Sequence, residues 1–253
     1  MNLFDVSGKH VVVTGGSRGI GQMIAKGFID AGATVYITAR HAEDCDKAAA
    51  ELGDRCISIP ADISTPEGIQ KFIDGVTART GSLHVLVNNA GAAWGAPMED
   101  FSEEGFDKVW TLNVKSLFYL TVKLLPLLRK AATAEDPARV INIGSIDGLR
   151  VPLLMNYSYS AAKAGVHMLT RHMAHDLVKE NITVNAIAPG LFPSKMTKVV
   201  FERYADEVVN NIPRGRAGTW EDIAGTSIFL SSRAGAYLTG AVIPVDGGVS
   251  TKG

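Results

Sequence analysis

The chain has 253 residues, 46% hydrophobic and 20% charged, with 26 acidic against 25 basic side chains and a formal charge of −1. That composition supplies a sizeable core and excludes a disordered chain. With no Lys/Arg run and no apolar stretch near the roughly 20 residues of a bilayer span, neither a nucleic-acid partner nor a membrane is expected.

The opening residues, Met1–His10, carry Asp5 and lack the basic-then-apolar order of a secretory leader. The first apolar run, Lys9–Thr14, reads as a strand. It enters Thr14-Gly15-Gly16-Ser17-Arg18-Gly19-Ile20-Gly21, and a helical pattern follows over Gly19–Ala31. Glycines so placed let the chain turn tightly and bring backbone N–H groups up to a pyrophosphate at a helix N-terminus. A glycine cluster alone can mark a plain turn; the strand before it and the helix after it favour a dinucleotide site. The next run, Thr34–Ala39, ends where an NAD site carries an acid for the ribose hydroxyls, and Ala39 stands there, followed by Arg40. Arg18 or Arg40 alone reads as a solvated charge. Together, with the acid missing, they suit the 2′-phosphate of NADPH.

Further runs at Cys56–Pro60, Val85–Asn88, Arg139–Ile143, Thr183–Ile187 and Val242–Val245 are mostly continuously apolar, as parallel strands buried on both faces should be. Helical patterns at Thr65–Arg79, Glu103–Leu128 and Ser160–Lys179 alternate with them. The alternation predicts an α/β fold: one Rossmann-type domain over 1–253, a doubly wound, seven-stranded parallel sheet with helices on both faces. Leu191–Ser232 is longer than one crossover helix needs. Lying beyond strand C-termini, it reads as a substrate lid or as an extra surface helix. Cys45 and Cys56 make neither a disulfide framework nor a metal cluster, which suits a reducing cytoplasm.

Tyr159-Ser160-Ala161-Ala162-Lys163 sets Tyr and Lys four residues apart on one helix face. A neighbouring ammonium is expected to lower the phenol's pKa, making it a proton donor and acceptor for a carbonyl/alcohol pair. Tyr157 has Ala161 four residues on and so no such partner. His172, His175 and Asp176 could meet a metal from one face, but no further ligand presents itself, and no metal is expected. Gly144-Ser145-Ile146-Asp147-Gly148 lacks the spacing of a hydrolase nucleophile elbow.

Thr14–Gly21, Asn88-Asn89-Ala90-Gly91, Asn113, Ser145, Tyr159/Lys163, Pro189-Gly190 and Val245-Asp246-Gly247-Gly248 occur in the order of the short-chain dehydrogenase/reductase family. The chain resembles that family along essentially its whole length. It looks most like the bacterial 3-oxoacyl (β-ketoacyl) reductases of the rhamnolipid-pathway type, through Gly21–Ala25, Leu124–Arg129, Pro137–Ser145 and Ala188–Thr197. The resemblance implies a tetrad. Tyr159 is the acid/base, and Lys163 lowers its pKa and holds the nicotinamide ribose. Ser145 donates to the substrate oxygen, and Asn113 kinks its helix and holds a water that links Lys163 to solvent. It also places Gly15, Ser17, Arg18, Gly19, Ile20 and Arg40 along NADPH/NADP+. Asp62 and Ile63 lie at the adenine, Asn89 and Gly91 near the adenosine ribose, and Pro189, Phe192 and Ser194 at the carboxamide. Asp62 has a second reading, as a cap for the helix near Thr65.

The expected reaction is NADPH-dependent reduction of a ketone, as a small-molecule carbonyl or a 3-oxoacyl thioester. Two alternatives stand beside it: a polyol, steroid or secondary-alcohol dehydrogenase working in oxidation, and a non-catalytic NADPH-sensing protein. Ala92, Ala93, Trp94, Leu149, Leu153, Leu154, Met155, Phe192, Met196 and Phe201 form a mostly apolar set suited to an acyl chain or bulky ketone. Arg139 matches a basic carrier-docking position of the fatty-acid reductases, whereas Glu180 stands where those relatives carry a base. Family members are commonly homotetramers. Val109, Leu112, Leu117, Phe118, Leu120, Val166, Met168, Leu169 and Met173 exceed one core-facing stripe, so a homotetramer is expected here.

Overall fold

Seven strands, β1 (His10–Thr14), β2 (Thr34–Thr38), β3 (Cys56–Ser58), β4 (Val85–Asn88), β5 (Ala138–Ile143), β6 (Ile182–Pro189) and β7 (Val242–Val245), pair in parallel in the order β3-β2-β1-β4-β5-β6-β7. This computed structural model describes residues 2–152, 154–194, 197 and 209–251. Among the described residues the α-helices are α1 (Gly19–Asp30), α2 (Ala42–Leu52), α3 (Pro66–Thr77), α4 (Glu103–Trp110), α5 (Leu117–Ala131), α6 (Tyr157–Leu177) and α7 (Trp220–Ser231). The chain is a single domain with a doubly wound sheet, as the alternation of patterns predicts.

Alternate strand residues feed two cores, because successive side chains on a strand point to opposite faces. Val12, Leu86, Val140 and Val184 pack under α3, α5 and α6, with Phe72, Leu120, Leu124 and Val166. Val11, Val13, Val85, Val87, Ile141 and Ile187 pack under α1, α2 and α7, with Ile24, Phe28, Ile223 and Leu230. Each fully buried Leu, Ile or Phe contributes about 1.5–3 kcal/mol. The helix α1 lies close on α7 because position 27 is glycine: a Cβ there would come within 2.4 Å of Ala224 Cβ.

Three expectations are revised. The pattern over Glu103–Leu128 is not one α-helix; between α4 and α5 the backbone widens into a π turn, Thr111–Ser116, where the Ser116 hydroxyl donates to Thr111 O (2.9 Å). The helix α2 has no counterpart among the sequence patterns, because its buried face is only Cys45, Ala48 and Ala49. The stretch Leu191–Ser232 is not all lid, since α7 within it is the crossover helix of the sheet. Within what remains of that insertion, residues 195, 196 and 198–208 lie outside those described.

At the N-terminal end of the sheet, Asp136 joins two cations. Its carboxylate accepts from Lys9 Nζ (2.5 Å) and Arg139 Nη1 (2.5 Å), and Arg139 also donates to Ser232 O (2.9 Å). Arg139 is 1% exposed, so it cannot serve as a carrier-docking residue. Glu180 is ion-paired to Arg129. His172 lies 3.8 Å from Asp176 on an exposed face of α6. Among the described residues no helix is long and apolar enough to cross a membrane.

Candidate active site

The strand order reverses direction between β1 and β4, and ligands of doubly wound sheets bind beyond the strand C-termini at such a point. The loop from β1 to α1 turns there on Gly15 and Gly19, whose φ angles of +65° and +55° suit glycine. Gly16 and Gly21 leave the loop no spare room. A Cβ on Gly16 would sit 2.5 Å from Ile37 Cγ2, and one on Gly21 would sit 2.3 Å from Gly15 O. The Thr14 hydroxyl accepts from the backbone N–H of Asn89 and Ala90 (both 2.9 Å). In return Asn89 Nδ2 donates to Thr14 O (2.8 Å) and Gly15 O (3.3 Å). The Asn89 amide therefore braces the glycine loop, and only its oxygen is left to face a ribose.

Ser17 and Ile20 line the turn, with the exposed Arg18 as N-cap of α1. Arg40 is exposed at the end of β2, near enough to act on Asp62. Burial raises the Asp62 carboxyl's pKa, but hydrogen bonds from Ser64 and the charges of Arg40 and His41 outweigh it and hold it low. Asp62 Oδ1 takes the Ser64 N–H (3.0 Å) and hydroxyl (2.6 Å), while Thr65 caps α3 by accepting from Gly68 N (3.0 Å). The cap reading thus belongs to Thr65, not to the Asp62 side chain. Ile63 and Phe192 are buried in the cores, leaving mainly their backbones for a ligand. Ser194 packs toward the loop, its Cβ 3.3 Å from where a Gly19 Cβ would be. Pro189 ends β6 beside them.

The helix α6 begins next to the C-terminal end of β5 and carries Tyr159 and Lys163 on one face. Lys163 is buried, its Nζ donates to Ile143 O (2.6 Å), and it lies 5.5 Å from the Tyr159 ring centroid. Ser145 starts a short 3₁₀ turn, accepting from Asp147 N (3.1 Å), and its hydroxyl meets the Tyr159 phenol. Desolvation pushes the phenol's pKa up to about 12, with the Ser145 hydrogen bond opposing it. Desolvation also pushes Lys163 down to about 8. The expected lowering of the phenol by the ammonium does not appear: burial sets the direction, and what opposes it is Ser145 rather than Lys163.

Asn113, 1% exposed, sits in the π turn. Its Oδ1 accepts from Ala92 N (2.8 Å) and its Nδ2 donates to Ala92 O (3.0 Å). Both ends of the carboxamide tie down the loop that follows Asn89, beside Gly91, where a Cβ would be 3.2 Å from Asn113 Oδ1. The side chain thus braces backbone from within a widened turn of the helix.

Of the apolar set, Trp94, Leu149, Leu154 and Met155 are exposed around the site, and Ala96 N donates to Met155 O (3.2 Å), joining its two walls. Leu153, Met196 and Phe201 lie outside the described residues. Sequence reasoning missed a buried polar ladder behind the site. Asn88 Nδ2 donates to Thr121 Oγ1 (3.0 Å) and Asn142 Oδ1 (2.9 Å), and Asn142 Nδ2 donates to Thr170 Oγ1 (2.9 Å). Asparagines near the C-terminal ends of two mostly apolar strands, last in β4 and last but one in β5, were its visible signal.

A family model described as enoyl-(acyl carrier protein) reductase matches residues 15–250. The rhamnolipids biosynthesis 3-oxoacyl-[acyl-carrier-protein] reductase of Pseudomonas aeruginosa is 48% identical over 250 residues, 97% of each chain. A 2-dehydro-3-deoxy-D-gluconate 5-dehydrogenase of Escherichia coli is 36% identical over 255 residues, 98% of each. Among solved structures, the Pseudomonas aeruginosa RhlG/NADP active-site complex superposes with a TM-score of 0.95 at 47% identity, covering 99% of each chain.

Proposed function

The chain belongs to the short-chain dehydrogenase/reductase family, and on that premise we propose that it is an NADPH-dependent reductase converting a ketone, as a 3-oxoacyl thioester or bulky apolar ketone, to a secondary alcohol. The observation that carries this reading is that Tyr159 lies near both Ser145, which acts on its phenol, and Lys163, 5.5 Å from its ring. NADP in the RhlG complex supports the cofactor. So does the glycine loop, which turns on Gly15 and Gly19 and packs closely at Gly16 and Gly21 at the N-terminus of α1, where backbone N–H groups suit a pyrophosphate. Bound NADPH supplies the hydride.

Gly15, Ser17, Arg18, Gly19, Ile20, Arg40, Asp62, Ile63, Asn89, Gly91, Pro189, Phe192 and Ser194 hold the cofactor. Ser145 donates to the substrate oxygen and stabilises charge developing there. Tyr159 delivers its proton to that oxygen, for with a pKa near 12 it is the neutral, donating phenol at neutral pH. Lys163, still largely protonated below pH 8, holds the nicotinamide ribose and offsets the phenolate left behind. Asn113 fixes the floor through Ala92. Resupply of the proton through a water held there is part of the same reading.

The pKa values set a pH profile. Reduction should hold up to about pH 8 and decline above it as Lys163 loses its charge, while alcohol oxidation should rise with pH because it needs the phenolate. Initial rates in both directions across pH 6–10 (roughly the span between the reference values of histidine and lysine) check this. Parallel profiles would contradict it.

The cofactor preference rests on Arg18, Arg40 and the missing acid at Ala39. Ala39→Asp with Arg40→Ala should shift the NADPH/NADH ratio of kcat/KM toward NADH at least about tenfold, since a charge-assisted bond to phosphate contributes about 1.5–3 kcal/mol. An unchanged ratio would remove Arg40 from the phosphate site.

The assembly we propose is a homotetramer. Val109, Leu117, Leu120, Val166 and Met173 are core residues of the subunit itself and drop out of the argument. Phe118 and Met168 remain exposed, joined by Phe106, Tyr119 and Val122. Light scattering behind gel filtration should give about four times 26.9 kDa; a stable active monomer would refute it. With small-molecule substrates, no basic run and no spanning helix among the described residues, a cytoplasmic location fits this function. NADPH oxidation with 3-oxoacyl thioesters, against sugar-acid and polyol ketones, is the test of the reaction itself.

A further inference from the structure

His167 is a buried imidazole to which the chemistry above assigns no task. It lies on α6 one turn beyond Lys163 and two beyond Tyr159, and is 3% exposed. Its ring fills a slot between the two glycines that bracket Ser145, Ile146 and Asp147. A Cβ on Gly144 would lie 2.2 Å from Nε2, and one on Gly148 would lie 2.9 Å from Cε1. Neither ring nitrogen finds a hydrogen-bond partner among the described residues, although the Gly148 backbone is near enough to raise the ring's pKa against burial. Burial prevails and pushes it down to about 4, so the ring adds no charge beside Lys163.

The Ser145 turn is otherwise anchored at its ends. Gly144 N donates to Ile187 O (2.7 Å), and Asp147 Oδ2 accepts from Asn156 Nδ2 (3.1 Å). The His167 ring packs against both glycines that flank the turn. An unsatisfied buried imidazole is unfavourable compared with an aliphatic side chain, but a branched side chain is thicker than a slot walled by two glycine backbones.

We propose that His167 is a positioning residue: its flat ring, wedged against Gly144 and Gly148, sets the Ser145 turn in register with Tyr159 and Lys163 and so keeps the Ser145 hydroxyl beside the Tyr159 phenol. The assignment rests on the ketone-reductase reading of the site.

His167→Ala should lower kcat about 10- to 100-fold, the cost of misplacing a reacting group by around an ångström, with KM for NADPH unchanged. Gly144→Ala should do likewise, because its methyl meets the ring. The double variant Gly144→Ala/His167→Ala should recover most of the loss, since without the ring the next atom facing that methyl is Ile187 O at 3.3 Å. His167→Leu preserves volume and serves if the alanine variant does not fold; it should show the same kcat loss. An activity-independent reading comes from NMR of carbon-labelled tyrosine. The Tyr159 resonance, identified by its loss in Tyr159→Phe, should move in His167→Ala as it moves in Ser145→Ala. If the wild type reduces no ketone, the reductase reading fails while this resonance still decides the positioning. A folded His167 variant with kcat within about twofold of wild type, a double variant no better than additive, or an unmoved Tyr159 resonance would overturn the proposal.

Discussion

Tyr159→Phe should abolish ketone reduction while leaving NADPH affinity nearly intact. The substitution removes one oxygen and keeps the ring, so packing on α6 survives. Lost with the oxygen are the proton that reaches the substrate and the hydrogen bond shared with Ser145. General acids contribute about 10²–10⁴-fold, so kcat should drop at least about a hundredfold. Fluorescence titration with NADPH should give a Kd close to wild type. Tyr157→Phe is the control. That ring is partly exposed and lies edge-on to Phe101 at 5.5 Å, away from Lys163, and its loss of a hydroxyl should be close to silent. Retention of more than about a hundredth of wild-type kcat in Tyr159→Phe would remove the acid role.

A second large effect is expected at the opposite end of the sheet, where no chemistry is proposed. Asp136→Asn leaves Lys9 and the 1% exposed Arg139 without their shared counter-charge. Breaking a fully buried pair costs about 3–5 kcal/mol. Asp136 is itself 40% exposed and Arg139 keeps Ser232 O, so about 2–3 kcal/mol is the expected loss after solvent screening. Burial raises the Asp136 pKa, yet the hydrogen bonds from Lys9 and Arg139 outweigh it, and the net shift is downward. A carboxylate whose folded pKa is depressed stabilises above its unfolded pKa and loses that contribution as pH falls through the folded value. Wild type should therefore lose stability steeply below about pH 4, the ordinary aspartate value, and Asp136→Asn should lose less there. Denaturant melts at neutral and acid pH check both statements. Equal slopes in the two proteins would contradict the second.

The strands were legible because parallel strands buried on both faces read as unbroken apolar runs, as Val85–Asn88 does residue for residue; Val242–Val245 matches as well, although that edge strand is only partly buried. Other features lacked a signal of their own. A π turn shares its hydrophobic spacing with an α-helix, so Thr111–Ser116 was invisible within Glu103–Leu128. The helix α2 buries Cys45, Ala48 and Ala49 at helical spacing, but side chains so small make a weak apolar signal. Arg139 shows how charge in a sequence says nothing of side: the same residue suits a docking surface or a buried ion pair, and only the sheet's geometry separates them. The apolar positions of α4 to α6 were likewise counted without knowing which face was already covered, so core residues such as Val109 and Val166 entered the assembly argument. Asn89 illustrates the limit of resemblance. Its place in the motif was correct, but its amide turns inward to the Thr14 and Gly15 carbonyls. His167 looked no different from His172, since both are histidines on one helix.

The central claim is that this chain reduces ketones on apolar chains with NADPH. Its most direct measurement is the kcat/KM of the wild-type protein for NADPH oxidation with a 3-oxoacyl-CoA, compared with a keto sugar acid and with the corresponding alcohols plus NADP+. Apolar walls favour the acyl substrate, because each methylene buried contributes about 0.8 kcal/mol. The account predicts the highest kcat/KM for the 3-oxoacyl thioester, increasing with chain length. A higher value for the keto sugar acid, or turnover in the oxidative direction alone, would contradict it.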